Sequence, residues 1–109
     1  MNVQIHSKEI TLNSHTKAHI EGAIESFKKY SLDITSVKVD IRKEKQGVAV
    51  EFDIHIAHSE PVVINQNDDD LDAAIDVAID RATKALRRHH DKIISHRGTS
   101  IKDKIVEEI

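Results

Sequence analysis

The sequence has no cysteine, no tryptophan, one proline, three glycines and three aromatic side chains. Without cysteine the chain has no disulfide, thiolate metal site or cysteine nucleophile, which fits a reducing cytosol. The glycines, at positions 22, 47 and 98, are too far apart to form a phosphate-binding glycine loop. Because Phe27, Phe52 and Tyr30 are the only aromatics, base-stacking platforms are nearly absent. Any RNA binding would therefore depend on charge and shape.

Long hydrophobic runs are also missing. No segment approaches about 18 apolar residues, and residues 1–6 lack the basic and then apolar pattern of a signal peptide. The sequence therefore predicts a soluble, unexported, cytoplasmic protein that is complete as written and makes no contact with a membrane. With 109 residues, of which 39% are hydrophobic and 32% charged, a single compact core is expected.

Alternation of apolar and polar residues predicts four strands. The pattern is present over residues 3–6, over 37–42 and, most regularly, over 48–56. The second and third of these segments flank a short polar link that includes Gly47, which predicts a hairpin. Residues 62–64 follow the only proline and predict a short fourth strand.

Two segments have the 3.6-residue periodicity of amphipathic helices. The first is predicted from the N-cap pair Asn13-Ser14 to about Tyr30. The second is predicted from about Asp69 to Ser95, with Asp68–Asp70 as its cap. Its buried side is expected to consist of Leu71, Ile75, Ala78, Ile79, Ala82, Leu86 and Ile93.

These elements predict an α+β fold in the order β-α-β-β-β-α. Since the strands alternate, one face of the sheet should be covered and the other solvated. The expected architecture is a two-layer sandwich, a four-stranded sheet with two helices on one face. Residues 1–97 would form this domain. Residues 98–109, where the periodicity fails, are predicted to be a flexible C-terminal tail.

The second helix separates its charges by sign, although the net charge of the chain is only −3. Acidic residues such as Asp72 and Asp76 lie well around the helix from a basic stripe. A stripe of this kind can dock on a phosphate backbone while the other surfaces keep the protein soluble. The basic stripe consists of Arg81, Lys84, Arg88 and Lys92.

The competing interpretation is a solvated helix face with ordinary ion pairs, such as Asp80 with Lys84 at i, i+4. From the residues alone the two interpretations are about equally supported. Further basic residues could enlarge a footprint to about eight to ten phosphate contacts, which predicts steep salt dependence. They are Lys8, Lys28, Lys29, Arg42 and Lys43.

No group of residues has the complete pattern of a catalytic site or a metal site. His15 and His19 have the i, i+4 spacing of a zinc pair, but Thr16 stands where a His-Glu-x-x-His motif has its glutamate, and no third ligand is indicated. Helix capping accounts for the carboxylates of Asp68–Asp70. The sequence therefore predicts a protein that is not an enzyme and binds neither metal nor cofactor.

Together these features resemble the ribosome hibernation factor family, in its short form, over nearly the whole chain. No single motif is diagnostic, but order, length and spacing agree throughout. The matching features are Ser7-Lys8, Lys29-Tyr30, Lys43-Glu44 with Gln46-Gly47, Asp68–Asp70 followed by Ala73-Ala74-Ile75-Asp76, and the basic residues at 81, 84, 88 and 92.

The end of the chain also resembles this family. Thr99–Asp103 and Val106–Glu108 look like the C-terminal extension of its translation-inhibiting short members. The resemblance implies binding in the decoding channel of the small ribosomal subunit, where messenger RNA and the A- and P-site transfer RNAs would lie, under stress or in stationary phase. It implies the small subunit, its rRNA and the intact ribosome as partners, and a tail that opposes ribosome dimerisation. No dimerisation element is recognisable, so a monomer is expected away from the ribosome.

Three other functions stay open at this point, of which the third is a metal-dependent enzyme that uses the histidines and would contain stoichiometric metal when purified. The first is a module that binds free double-stranded RNA, because such domains have a similar order of strands and helices. Those domains begin their last helix with lysines, whereas this chain has Asp68–Asp70. The second is a protein-interaction adaptor that uses the open sheet face or the tail. Its binding would barely respond to salt.

Overall fold

The chain folds in the predicted order, in a computed structural model that describes residues 1–101 and, of residues 93–101, only the backbone. A 3₁₀ turn at Phe27–Tyr30 follows the first helix. The elements are β1 (Asn2–Lys8), α1 (Ser14–Ser26), β2 (Ile34–Glu44), β3 (Gly47–Ile56), β4 (Val62–Asp68) and α2 (Leu71–Ile101).

The four strands form one mixed sheet in the order β1-β2-β3-β4. Strand β1 pairs with β2 in parallel, and the other two pairings are antiparallel. The β2–β3 hairpin closes through Lys45 and Gln46, with Glu44 opposite Gly47. Gly47 has a φ of +114°, and a Cβ there would collide with the backbone of Asp68, so glycine is required at this turn. The predicted hairpin is confirmed.

One face of the sheet holds the core. On β2 and β3 the alternate residues are buried, as the periodicity predicted, and both helices cover this face. Phe27 and Phe52 meet edge to face, with ring centroids 6.4 Å apart. Within the described residues no helix packs on the opposite face, which is mostly polar and charged apart from Ala49 and Val63. The predicted two-layer sandwich is therefore confirmed.

Each helix begins at a side-chain cap. Asn13 Oδ1 accepts a hydrogen bond from the Thr16 amide at 2.7 Å. Asp70 Oδ2 accepts one from the Ala73 amide at 3.0 Å, and Asp68 Oδ1 accepts one from the Asp70 amide at 3.1 Å. Both predicted caps are confirmed, and α2 begins two residues later than predicted because Asp70 itself is the N-cap.

The largest departures from the predicted boundaries are at element ends. Strand β4 continues to Asp68 because it stays paired with β3 as far as Val48. Helix α2 continues to Ile101, since Gly98 costs a helix only about 1 kcal/mol and no proline interrupts it. It thus includes residues 98–101 of the predicted tail. Residues 102–109 and the Ile93 side chain lie outside the described part, so the flexible tail stays a prediction.

Neither helix, within the residues that the structure describes, is both long and apolar enough to cross a membrane.

Candidate nucleic-acid interface

The basic stripe of α2 lies along the side of the helix that faces the edge of β4. Lys84, Arg88 and Lys92 are all exposed there. Lys84 Nζ is 3.1 Å from Asp80 Oδ2, but both side chains are more than 60% exposed, so this ion pair contributes little and breaks readily. Arg88 and Lys92 form no ion pair with any residue whose side chain is described. Among the described residues, then, only the weak Asp80 pair competes with an anionic partner for these three cations.

Arg81, the first residue of the predicted stripe, is exposed but is hydrogen-bonded to the sheet. Its Nη1 donates hydrogen bonds to the backbone carbonyl oxygen of Asn65 at 2.5 Å and to Gln66 Oε1 at 2.9 Å. Both acceptors belong to β4, which is an edge strand. Arg81 therefore ties α2 to the sheet and occupies a carbonyl that a foreign strand could otherwise pair with. We therefore interpret the main role of Arg81 as structural.

We expect Arg81→Ala to lower the free energy of unfolding by about 1 to 2 kcal/mol, because two charge-assisted hydrogen bonds at a partly exposed site are lost. Thermal or urea unfolding measures this change.

Arg88→Ala is the matched control for Arg81→Ala. It removes the same side chain two helical turns further on, where Arg88 is exposed and forms no hydrogen bond or ion pair with any residue whose side chain is described, and stability should change by less than about 0.5 kcal/mol. Polyanion binding should show the reverse order, with the larger loss in Arg88→Ala. Equal unfolding free energies in the two variants would contradict the structural role of Arg81.

The acidic side of α2 faces α1. His19 Nε2 lies 2.8 Å from Asp76 Oδ1, and a groove between the helices is lined by His15, Thr16, His19, Asp72 and Asp76. In the part of the chain with described side chains, no three His, Asp or Glu residues are grouped so that they could hold a metal ion. The groove thus holds part of the acidic charge between the helices, on the opposite side of α2 from the stripe.

Two further predicted cations, Lys28 and Lys29, follow α1 and so lie on its side of α2. Lys28 Nζ is 2.9 Å from Glu25 Oε1, and Lys29 Nζ lies 5.3 Å from the centroid of the Tyr30 ring. Because α1 contacts the acidic side of α2, these lysines are not continuous with the stripe. They form a separate, partly compensated pair.

The remaining three predicted cations lie at the hairpin end of the sheet. Lys8 ends β1 and Arg42 is its partner on β2; both point to the open face. Lys43 is directed to the helix side, where it lines a pocket with Leu71 at the start of α2. The nine predicted residues thus form three groups, and α2 together with the sheet separates the stripe from the hairpin end.

The structure also adds residues that the sequence analysis did not single out. Asn65 and Gln66 hold Arg81, and Asn67 lies two residues beyond Asn65 on the open face. The run of amides from Asn65 to Asn67 is visible in the sequence. Its pairing with a specific arginine depends on how α2 crosses β4, which periodicity does not specify.

Comparisons with known proteins agree with this architecture. Residues 3–94 match the model of the family described as "Sigma 54 modulation protein / S30EA ribosomal protein". A curated relative, the "Ribosome hibernation promoting factor" of Azotobacter vinelandii, is 30% identical over 94 residues, which cover 86% of this chain and 87% of the relative.

Two solved structures share the fold. The crystal structure of the Thermus thermophilus Protein Y N-terminal domain matches 82% of this chain and 99% of its own, with a TM-score of 0.71 and 22% identity. A ribosomal subunit interface protein from Coxiella burnetii matches 82% of this chain and 97% of its own, with a TM-score of 0.68 and 12% identity. At these identities the likeness supports the fold alone.

Proposed function

Because the chain belongs to the Sigma 54 modulation protein / S30EA ribosomal protein family, we propose that it binds the small ribosomal subunit through rRNA and inhibits translation. The inhibition is by occupancy: the folded domain fills the decoding channel, where messenger RNA and the A- and P-site transfer RNAs would otherwise bind. No covalent chemistry is involved, and the protein acts in the cytoplasm under stress or in stationary phase.

The observation that carries this proposal is the exposed stripe of Lys84, Arg88 and Lys92. A helix fixes the spacing of these residues at four positions, about 6 Å along its axis. Cations presented on a rigid helix need less ordering on binding than cations on a loop, so more of the phosphate attraction remains as affinity. Acids on the α1 side do not face a ligand seated on the stripe.

The expected contacts are mainly to phosphate and sugar oxygens. The chain has three aromatic side chains; Phe27 and Phe52 are fully buried and Tyr30 is nearly buried. They are therefore not available to stack on unpaired bases. Lysine and arginine at phosphates provide affinity and position without reading sequence. Selectivity for the ribosome then comes from matching the shape of folded rRNA.

Two finer statements belong to the same proposal. The tail at residues 98–109 opposes ribosome dimerisation, and the protein is a monomer away from the ribosome. Sedimentation of ribosomes with the full chain and with a chain ending at residue 97 tests the first statement. More dimers with the shortened chain are expected, and equal profiles would contradict a role for the tail.

The central test is binding to purified small subunits together with translation of a reporter in a reconstituted system. We expect co-sedimentation at about one copy per subunit, loss of the bound protein when messenger RNA and transfer RNA are preloaded, and inhibition of the reporter. Binding that is unaffected by preloading would contradict the decoding channel as the site.

Free duplex RNA, without ribosomes, serves as the specificity control. The first turn of α2 carries Asp72 and its cap is Asp70, where duplex-binding domains carry lysines. We therefore expect weak binding to the duplex at physiological salt. Duplex affinity equal to the affinity for small subunits would favour the double-stranded RNA module instead.

A further inference from the structure

Two cations stand side by side on the open face of the sheet. In the parallel ladder Lys8 is the register partner of Arg42, and neighbouring strands are about 4.8 Å apart. Both residues are exposed. In the part of the chain that the structure describes, no helix covers this face, so both side chains extend into solvent.

Like charges directly opposite each other in a sheet are unfavourable. The one ion pair described for either cation joins Arg42 Nη1 to Glu51 Oε1 at 3.7 Å, a loose contact. Lys8 has none among the described residues, although Glu9 follows it and Glu44 lies two residues beyond Arg42. Among the described residues this pair of like charges thus has no acidic partner closer than 3.7 Å.

The rest of the same row contains no acid. Arg42 is paired with Ala49 on β3, and Ala49 with Asn67 on β4. We call these four residues, Lys8, Arg42, Ala49 and Asn67, the end row. Ala49 is only 5% exposed, so the arginine and the amide, both hydrogen-bond donors, flank a covered and uncharged position.

The next row inward is acidic. There Asp40 is paired with Glu51, and both are half-buried. An anion on the open face is therefore attracted to the end row and repelled one row further in. The row is one residue deep and about 14 Å long across four strands. Both of its cations lie on β1 and β2, and the row continues through an alanine and an amide on β3 and β4, which suits a narrow linear anion.

We propose that the end row binds the phosphate backbone of an RNA strand that crosses the hairpin end of the sheet. This inference rests on the proposed function and extends it, because α2 and its stripe lie on the other face. RNA on the end row and RNA on the stripe must then be different segments, and the domain sits between them. An acidic protein surface is the less suitable partner, since a broad surface would also meet Asp40 and Glu51.

The test compares Lys8→Gln/Arg42→Gln with Lys38→Gln in binding to small subunits over a range of salt concentrations. Lys38→Gln, which removes one charge instead of two, is the positional control because Lys38 is an exposed cation on the same face of β2, 3.7 Å from Asp40 and outside the end row. Loss of two phosphate contacts should reduce the slope of log K against log salt by about 1.4. The Lys38 variant should keep the wild-type slope.

A second measurement needs no ribosome. Arg42→Gln relieves the repulsion with Lys8, so its melting temperature should rise by about 1 to 4 °C relative to wild type. A rise also shows that the variant is folded. A fall in melting temperature by that amount would contradict the claim that repulsion between Lys8 and Arg42 destabilises the fold.

The outcomes separate this inference from the proposed function. Wild-type protein that fails to bind small subunits overturns both. Wild-type binding with an unchanged slope in the double variant overturns the end row alone. Weaker binding with an unchanged slope also overturns it, because that result indicates a contact with ribosomal protein instead of phosphate.

Discussion

The double variant Lys84→Glu/Arg88→Glu should lose small-subunit binding by more than about 100-fold while the domain stays folded. Hydrogen bonds between charged groups contribute about 1.5 to 3 kcal/mol each, and about 1.4 kcal/mol corresponds to a tenfold change in affinity. Reversal adds repulsion to the loss of two such contacts. Both side chains are exposed, and neither contributes to the core. Co-sedimentation with ribosomes measures the effect.

The matched control is Lys17→Glu/Arg87→Glu, which makes the same change in net charge. Lys17 is exposed on α1, and Arg87 immediately precedes Arg88 but lies about 100° around the helix, on the acidic side. If position matters more than total charge, this variant should keep most of its affinity. Equal loss in both variants would mean that binding follows net charge, and unchanged co-sedimentation of the first would remove the stripe from the interface. Circular dichroism and melting confirm that each variant is folded.

Much of the fold could be predicted because its strands are half-buried. Val37, Val39 and Ile41 alternate with polar residues, and Phe52 and Ile54 continue the pattern on the paired strand. When one face of a sheet is covered and the other is solvated, burial imposes a period of two on the sequence. The capping residues were predictable for a similarly local reason, since they bond amides three residues ahead.

The arrangement of the site was harder to predict because it depends on long-range geometry. The neighbourhood of Lys8 and Arg42 follows from the parallel register of β1 and β2, which are joined through α1. Arg81 falls on the basic stripe by periodicity, yet the crossing of α2 over β4 brings it onto Asn65. Periodicity gives the side of a helix on which a residue lies. It does not predict which hydrogen-bond partners the neighbouring strand places beside that residue.

The separation of charge on α2 makes the proposed RNA interface compatible with a net charge of −3. Asp76 is in contact with His19 of α1, while Arg88 and Lys92 project on the far side. An approaching phosphate responds to the nearest charges, because salt screens the distant ones beyond about 8 to 10 Å. The acids then discourage adhesion of polyanions on the side of α2 that faces α1.

Salt should have a very large effect on binding to the small subunit. Of the nine predicted cations, Arg81 is held by β4, so eight remain for phosphate contacts. At about −0.7 per contact, log K should fall with log salt at a slope near −5.6, a loss of more than about a thousandfold between 50 and 200 mM. Binding isotherms on purified subunits at several salt concentrations measure this slope.

The slope also distinguishes the functions that the sequence left open. Lys28, Arg42 and Lys84 each have a carboxylate neighbour within 4 Å, and these exposed pairs must open before the cation can meet a phosphate. If they stay closed, five contacts remain and the slope is near −3.5. A slope between these two values is therefore expected for rRNA binding. A slope near zero would indicate an adaptor that binds a ribosomal protein, and it would overturn the RNA interface even if the chain co-sediments with ribosomes.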